Sequence, residues 1–183
     1  MPLFSFEGLA PQVHERAFIA PTATLVGDVI VEEGASIWYG AVIRADYAPV
    51  IIRRRANVQD NAVIHGPPGL TTDIGPGATV GHNCVVHGAT LEAGCLIANG
   101  SVVLDGATIG VKALVAAGSV VAAGTTVGAG MLATGAPATV KRPVKGTGAE
   151  LWVETNPEAY AELAQRHHTG IRYIDPTADD DDE

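Results

Sequence analysis

The sequence predicts an all-β chain wound into a parallel β-helix, a prism of stacked coils, with a short helical segment after it. Three observations carry this reading. An aliphatic residue recurs at every sixth position, a small residue precedes it by two, and glycine is abundant at 22 residues while aromatics are only 5%. Side chains alternate along a strand, so positions i and i−2 share a face, and here both sets point inward. A six-residue beat fits neither the 3.6-residue helical period nor a heptad. A β-sandwich would not hold a fixed period for so long. Hexapeptide spacing with glycine at tight corners, where positive φ is often needed, builds a coil whose every side is one short strand.

The elements follow in order. The beat runs through Ile19, Leu25, Val31, Ile37 and Ile43, pauses for a short insertion, and continues at Ile52, Val58 and Ile64. A longer insertion precedes Ile74, Val80 and Val86. One residue is then dropped, and the beat runs unbroken through Leu91, Ile97, Val103, Ile109, Val115, Val121 and Val127. The small partners include Ala23, Ala41, Ala62, Ala78, Cys84, Cys95, Ser101 and Ala113. Cys84 and Cys95 therefore read as compact core residues, and no disulfide is expected. Gly135-Ala136-Pro137-Ala138 closes the prism and Pro143 ends the extended chain, which gives a β-helix domain over 1–143.

In the segment 144–170, Thr147-Gly148-Ala149-Glu150 has capping-box spacing, and Asn156-Pro157 reads as an N-cap with proline at the first helical position. Two short helices are expected, or one broken at Asn156-Pro157, packing on the prism through Leu151, Trp152, Tyr160 and Leu163. The stretch 171–183 closes on Asp179-Asp180-Asp181-Asp182-Glu183, expected to be a solvated, disordered acidic tail. The net charge of −9 argues against nucleic acid or an anionic membrane surface as partner. No apolar run approaches the roughly 20 residues of a spanning helix, and no signal peptide is recognised. The expectation is a cytoplasmic protein.

Grouping the slots in threes stacks equivalent positions from coil to coil. His65 and His87 each follow a slot at i+1 on the same side, one rung or about 4.8 Å apart, and Arg44 is the next member of that column. His82 lies at i+2 after Val80, and Asp60 holds the same place one rung earlier on the neighbouring side. Five extended residues, about 16 Å, separate His82 from His87, so one prism does not bring all three histidines to one metal. Three prisms about a threefold axis would set the His65/His87 column of one against His82 of the next. Three imidazoles with an open fourth position describe a catalytic zinc centre, although spacing alone leaves ordinary surface histidines as an open reading. His14, His167 and His168 lack the stacked register and receive no role.

Three motifs then occur in order: Arg44-Ala45-Asp46, Asn57-Val58-Gln59-Asp60-Asn61 leading to His65, and Gly81-His82-Asn83-Cys84-Val85-Val86-His87-Gly88. With them the chain resembles the γ-class carbonic anhydrase family over roughly residues 10–165. The resemblance implies a left-handed, three-sided β-helix of hexapeptide repeats and a homotrimer with Zn2+, or Fe2+ or Co2+, held by His65 and His87 of one subunit and His82 of its neighbour. It implies reversible hydration of CO2 to bicarbonate by zinc-bound hydroxide at that intersubunit site. By the same resemblance Gln59 would position the nucleophile, Asn57 would orient CO2 or bicarbonate, and Tyr160 matches a tyrosine near the active site. Arg44, Asp46 and Asp60 would form a salt-bridge network across the subunit interface.

The chain departs from that family in three places. Neither insertion carries the glutamate that shuttles protons in active members, and Asp73 is the only carboxylate nearby; because proton transfer by a positioned group is worth roughly 10²–10⁴-fold, slow turnover is expected. Ala45 stands where glycine is usual, and Arg53-Arg54-Arg55 replaces a corner glycine. Two other functions stay open: a metal-dependent acyl-CoA thioesterase or related hydrolase, and a non-catalytic trimeric scaffold stapled by metal. An acyltransferase would need a histidine base rather than three ligands.

Overall fold

Short runs of β-branched residues, each bounded by a turn, give two- and three-residue strands that stack in parallel rather than pairing as hairpins. The structure, a computed structural model, describes residues 2–174. The acidic run Asp179 to Glu183 lies outside the described residues. About seven coils form a left-handed parallel β-helix, mostly sheet, with a single C-terminal helix.

The three sides are set by the predicted slots. On the first side Ile43, Ile64, Val86, Val103 and Val121 lie in register. Ile52, Ile74, Leu91, Ile109 and Val127 stack on the second, and Ile37, Val58, Val80, Ile97 and Val115 on the third. From Leu25 to Val127 no slot is more than 2% exposed, and Ala23, Ala41, Ala62, Cys84 and Cys95 are fully buried beside them. Each such aliphatic contributes about 1.5–3 kcal/mol by leaving water. Cys84 and Cys95 are free thiols, as expected.

Two strands, Thr24–Val31 and the longer Val42–Ile52, do not stop at the corner between the first and second sides, and the longer one shapes the site. Its first half pairs with Val63–His65 on the first side and its second half with Thr72–Ile74 on the second, so it carries Asp46 across the edge of the prism. At the far end Met131–Gly135 folds back on Ala138–Pro143 as an antiparallel pair.

The segment after the prism differs from the sequence expectation. It is one helix, α1 (Glu150–Gly170), continuous through Pro157. Proline removes a backbone bond there, but tertiary contacts hold the helix on both sides of it. Glu154 accepts from Lys112 Nζ at 2.9 Å and Glu158 pairs with Arg55, while Pro157 packs over Gly77, where a Cβ would sit 3.7 Å from its own. Leu151 and Trp152 are 63% and 60% exposed and do not dock. The stripe facing the prism is Val153, Tyr160, Ala164 and His167, at helical spacing from Val153, with Leu163 beside it. Leu151 and Trp152 fall off that stripe. The capping-box residues serve the turn before the helix: Thr147 Oγ1 accepts from Ala149 N at 3.3 Å and Glu150 from Gly146 N at 2.7 Å. Among the described residues no helix is long and apolar enough to cross a membrane.

Candidate metal centre

Arg44, His65 and His87 stand in one column on the first side, as the spacing predicts. Nδ1 of His65 lies 2.9 Å from Nε2 of His87, with ring centroids 4.9 Å apart. Each ring is held from behind by a carboxylate. His65 Nε2 is 2.9 Å from Asp46 Oδ1, and His87 Nδ1 contacts Asp105. If those outer nitrogens carry the protons they donate to the carboxylates, the inner nitrogens present two lone pairs toward one another. Asp46 also pairs with Arg44. Burial pushes the Asp46 pKa up, but hydrogen bonds from His65 and Arg44 and the Arg44 charge outweigh it and leave the group below the usual carboxylate value.

The two insertions build this corner. Gly66, directly after His65, lies so close to the strand Val42–Ile52 that a Cβ would come within 2.2 Å of Ala48 O. Thr72, fully buried at the end of the loop, donates to His65 O at 2.6 Å and accepts from Gly88 N at 3.0 Å. A single hydroxyl thus ties the backbones beside both histidines. Neither Thr72 nor Asp105 belongs to the sequence motifs. The signal for Asp105 was its position one rung beyond His87 and one place downstream, in the turn that follows the strand Val102–Val103.

His82 stands on the neighbouring side, in column with Asp60. Its Nδ1 is 2.8 Å from Asp60 Oδ2, its backbone N donates to Asn99 Oδ1 at 3.2 Å, and Tyr160 OH lies 3.4 Å from its Nε2. Tyr160 reaches it from α1, edge-on to Trp38 at 5.3 Å; burial, and then the Asp60 charge, raise the tyrosine pKa. Gln59 and Asn57 are 3% and 0% exposed. Gln59 Nε2 donates to Asn57 Oδ1 at 3.0 Å and Asn57 Nδ2 to Thr79 Oγ1 at 2.9 Å, so their bonds run to one another and not to the histidines of the same chain. Asp46 and Asp60 each touch a histidine of their own chain, and the Arg44–Asp46 pair also lies within one chain. Asp73 is engaged by Arg53 at 2.7 and 3.0 Å, and Arg53 also reaches Glu32 at 3.2 Å. His167, which the spacing left without a role, meets Tyr39 OH at 2.9 Å and packs with Phe18 and Trp38, fixing the end of α1.

Among the described residues no group of three or more His, Cys, Asp or Glu is gathered to hold a metal within one chain. The His65/His87 pair nevertheless suits a borderline-soft divalent ion: both donors are imidazole nitrogens, and each has the carboxylate behind it that metal-binding histidines generally have. Two nitrogens at zinc distances and tetrahedral angle would lie about 3.3 Å apart, a few tenths of an ångström from the separation seen. A cavity of about 670 Å³ between α1 and the first coils is lined by Arg16, Phe18, Arg54 and Glu158 among others, and none of the predicted site residues.

No family model matches the chain. It is 37% identical to the carnitine operon protein CaiE of Escherichia coli O157:H7 over 176 residues, which cover 96% of this chain and 89% of that one. A crystal structure of a hexapeptide transferase family protein from Anaplasma phagocytophilum superposes with a TM-score of 0.83 at 34% identity, covering 90% of this chain and 96% of that one. The chain belongs to the hexapeptide-repeat family. This hexapeptide-repeat protein is also 42% identical to a carbonic anhydrase of Geobacillus kaustophilus (strain HTA426) over 102 residues. That match spans 56% of either chain, little more than half the length of the relative.

Proposed function

We propose that this protein hydrates CO2 to bicarbonate at a divalent-metal site shared between subunits of a homotrimer. His65 and His87 of one subunit and His82 of the next would hold the ion, zinc or otherwise iron(II) or cobalt(II). The observation that carries the proposal is the convergence of His65 Nδ1 and His87 Nε2 at 2.9 Å, each ring backed by a carboxylate. The similarity to a carbonic anhydrase over half the chain supports the same reading. When bound, the metal would supply the Lewis acidity that ionises water near neutral pH.

The chain's own residues then have separable tasks. Asp46 and Asp60 orient His65 and His82. The Gln59 amide, fixed through Asn57 to Thr79, is a rigid polar group beside the neighbouring side of the prism and would orient the nucleophile, with Asn57 supporting it or CO2. The Tyr160 hydroxyl stands at His82 as a further polar contact. Arg44, shared with Asp46, would complete an ionic network with Asp60 of a neighbouring subunit. Hydration of CO2 releases one proton. Asp73 is committed to Arg53 and is no carrier for it, so turnover should depend strongly on external buffer.

The test is stopped-flow CO2 hydration by protein of measured metal content, with His82→Ala as the paired variant. Activity that scales with metal, rises with buffer concentration and vanishes in the variant supports the proposal. Full metal occupancy without hydration overturns it. A second reading, acyl-thioester chemistry at the same residues, has support from the transferase family named for the Anaplasma structure. Hydrolysis of acyl-CoA by metal-loaded protein that leaves CO2 untouched would favour it, and metal without any turnover would favour a scaffold.

A further inference from the structure

We infer that Asp105 is a positioning residue of this centre: its carboxylate fixes His87 in the Nδ1–H tautomer and aims Nε2 toward His65. The inference rests on the reading of His65 and His87 as metal ligands. An imidazole on an outward strand position turns freely about χ2, which has broad, roughly twofold wells, and its two nitrogens exchange the proton. A carboxylate on one nitrogen selects both ring orientation and tautomer.

Asp105 is built to do this. Its carboxylate contacts His87 Nδ1, and His87 is its one ion-pair partner among the described residues. Asp46, by contrast, divides its charge between His65 and Arg44. His87 therefore faces a carboxylate that no other side chain shares. The backbone around Asp105 is tied on both sides: Gly124 N donates to Asp105 O at 2.8 Å, and Gly106 N donates to Gly88 O at 2.7 Å. Gly88, next to His87, leaves the room required. A Cβ there would stand 3.0 Å from Asp105 Oδ1 and 2.8 Å from Pro67 Cγ. Asp105 is thus held by the coil after the histidine, the fold leaves a gap for its carboxylate, and the gap opens on one ring nitrogen.

The experiment uses the full-length protein in two states. In metal-free protein, ¹⁵N NMR of the imidazoles should show His87 with a protonated Nδ1 and a lone pair on Nε2; Asp105→Ala should lose that preference, and Asp105→Asn, which keeps an acceptor oxygen, should retain part of it. With zinc or cobalt(II) titrated against a competing chelator, Asp105→Ala should bind 10- to 100-fold more weakly than wild type, while exposed Glu162→Gln binds as wild type does. Because the Asp105 side chain is 45% exposed, its loss leaves the core intact. Wild-type affinity in Asp105→Ala overturns the inference, and so does weakened affinity with an unchanged His87 nitrogen pattern. If wild type itself binds no metal at these histidines, the functional reading fails, and the metal-free spectra still decide the tautomer.

Discussion

From Leu91 to Val127 the prism repeats without interruption, and its outward positions carry mostly valine, threonine and small residues. Between Ile43 and Leu91 the same coil is broken three times, by extra residues after Ile43 and Ile64 and by one residue lost after Val86. All three breaks fall at one corner, where the chain passes from the first side to the second. Asp46, His65 and His87 stand at that corner. A regular rung repeats its neighbour's backbone path, so regular spacing sets side chains in columns, as it sets His82 on Asp60. Bringing Asp46 beside His65, and the Thr72 hydroxyl between the backbones of His65 and Gly88, takes the two insertions. The disturbance stays local because each coil bonds only to those beside it.

This contrast can be broken experimentally, and the largest effect belongs to the regular half. Ile97 is fully buried there, and Ile97→Ala should cost about 2–5 kcal/mol in denaturant unfolding while leaving metal affinity unchanged; a loss below about 1 kcal/mol would show that the unbroken coils are not the stable part. Next comes the broken corner. Gly66→Ala sets a Cβ against the Ala48 carbonyl, backbone on backbone, and should cost about 1–3 kcal/mol and weaken metal binding by displacing Thr72. Its counterpart Gly100→Ala, which meets open space at φ +69°, should cost only the left-handed backbone penalty of about 1–2 kcal/mol with metal binding intact. Equal metal losses in the two variants would erase the distinction.

A smaller effect is expected where α1 crosses the corner between the second and third sides. Arg55 and Lys112 have φ of 57° and 52° in a stack otherwise filled by glycines such as Gly34, Gly77 and Gly94, and each gives an ion pair to α1. Relief of left-handed strain, the flexibility of glycine and the loss of an exposed pair nearly cancel, so Arg55→Gly should shift stability by no more than about 1 kcal/mol. Melting in low and high salt reads the balance, and a loss above about 2 kcal/mol would mean the pair is worth more than exposed pairs generally are. The smallest effect is none at all. Burial raises the pKa of Cys84, in the broken half, and of Cys95, in the regular half, so neither thiol should react with an aromatic disulfide reagent at pH 8 before unfolding. Rapid labelling of Cys84 alone would show that the broken coils open.

The prism was legible because the inward set is a one-dimensional pattern: a residue's slot fixes its side, its rung and its burial. The same arithmetic placed Arg44, His65 and His87 in one column and His82 with Asp60 in another. It did not reach Asp105 or Thr72, whose contacts depend on a diagonal approach and on the path of an irregular loop. Nor did it reach the docked stripe of α1. Trp152 and Leu151 look like anchors by hydrophobicity, but Val153 is the residue in phase with Tyr160, Ala164 and His167. Pro157 reads as a break until Lys112 and Arg55 are seen holding the helix on each side of it.

The antiparallel return of Ala138–Pro143 changes what the end of the prism offers to another chain. A parallel coil ends in a rung of unpaired donors and acceptors, a template on which another prism of the same chain could continue the spiral into a fibre. Here the rung Met131–Gly135 is met by a strand of opposite direction, and Pro143 offers no backbone N–H at its end. An incoming coil would find the polarity of the third side reversed, so on that side it could not continue the parallel ladder.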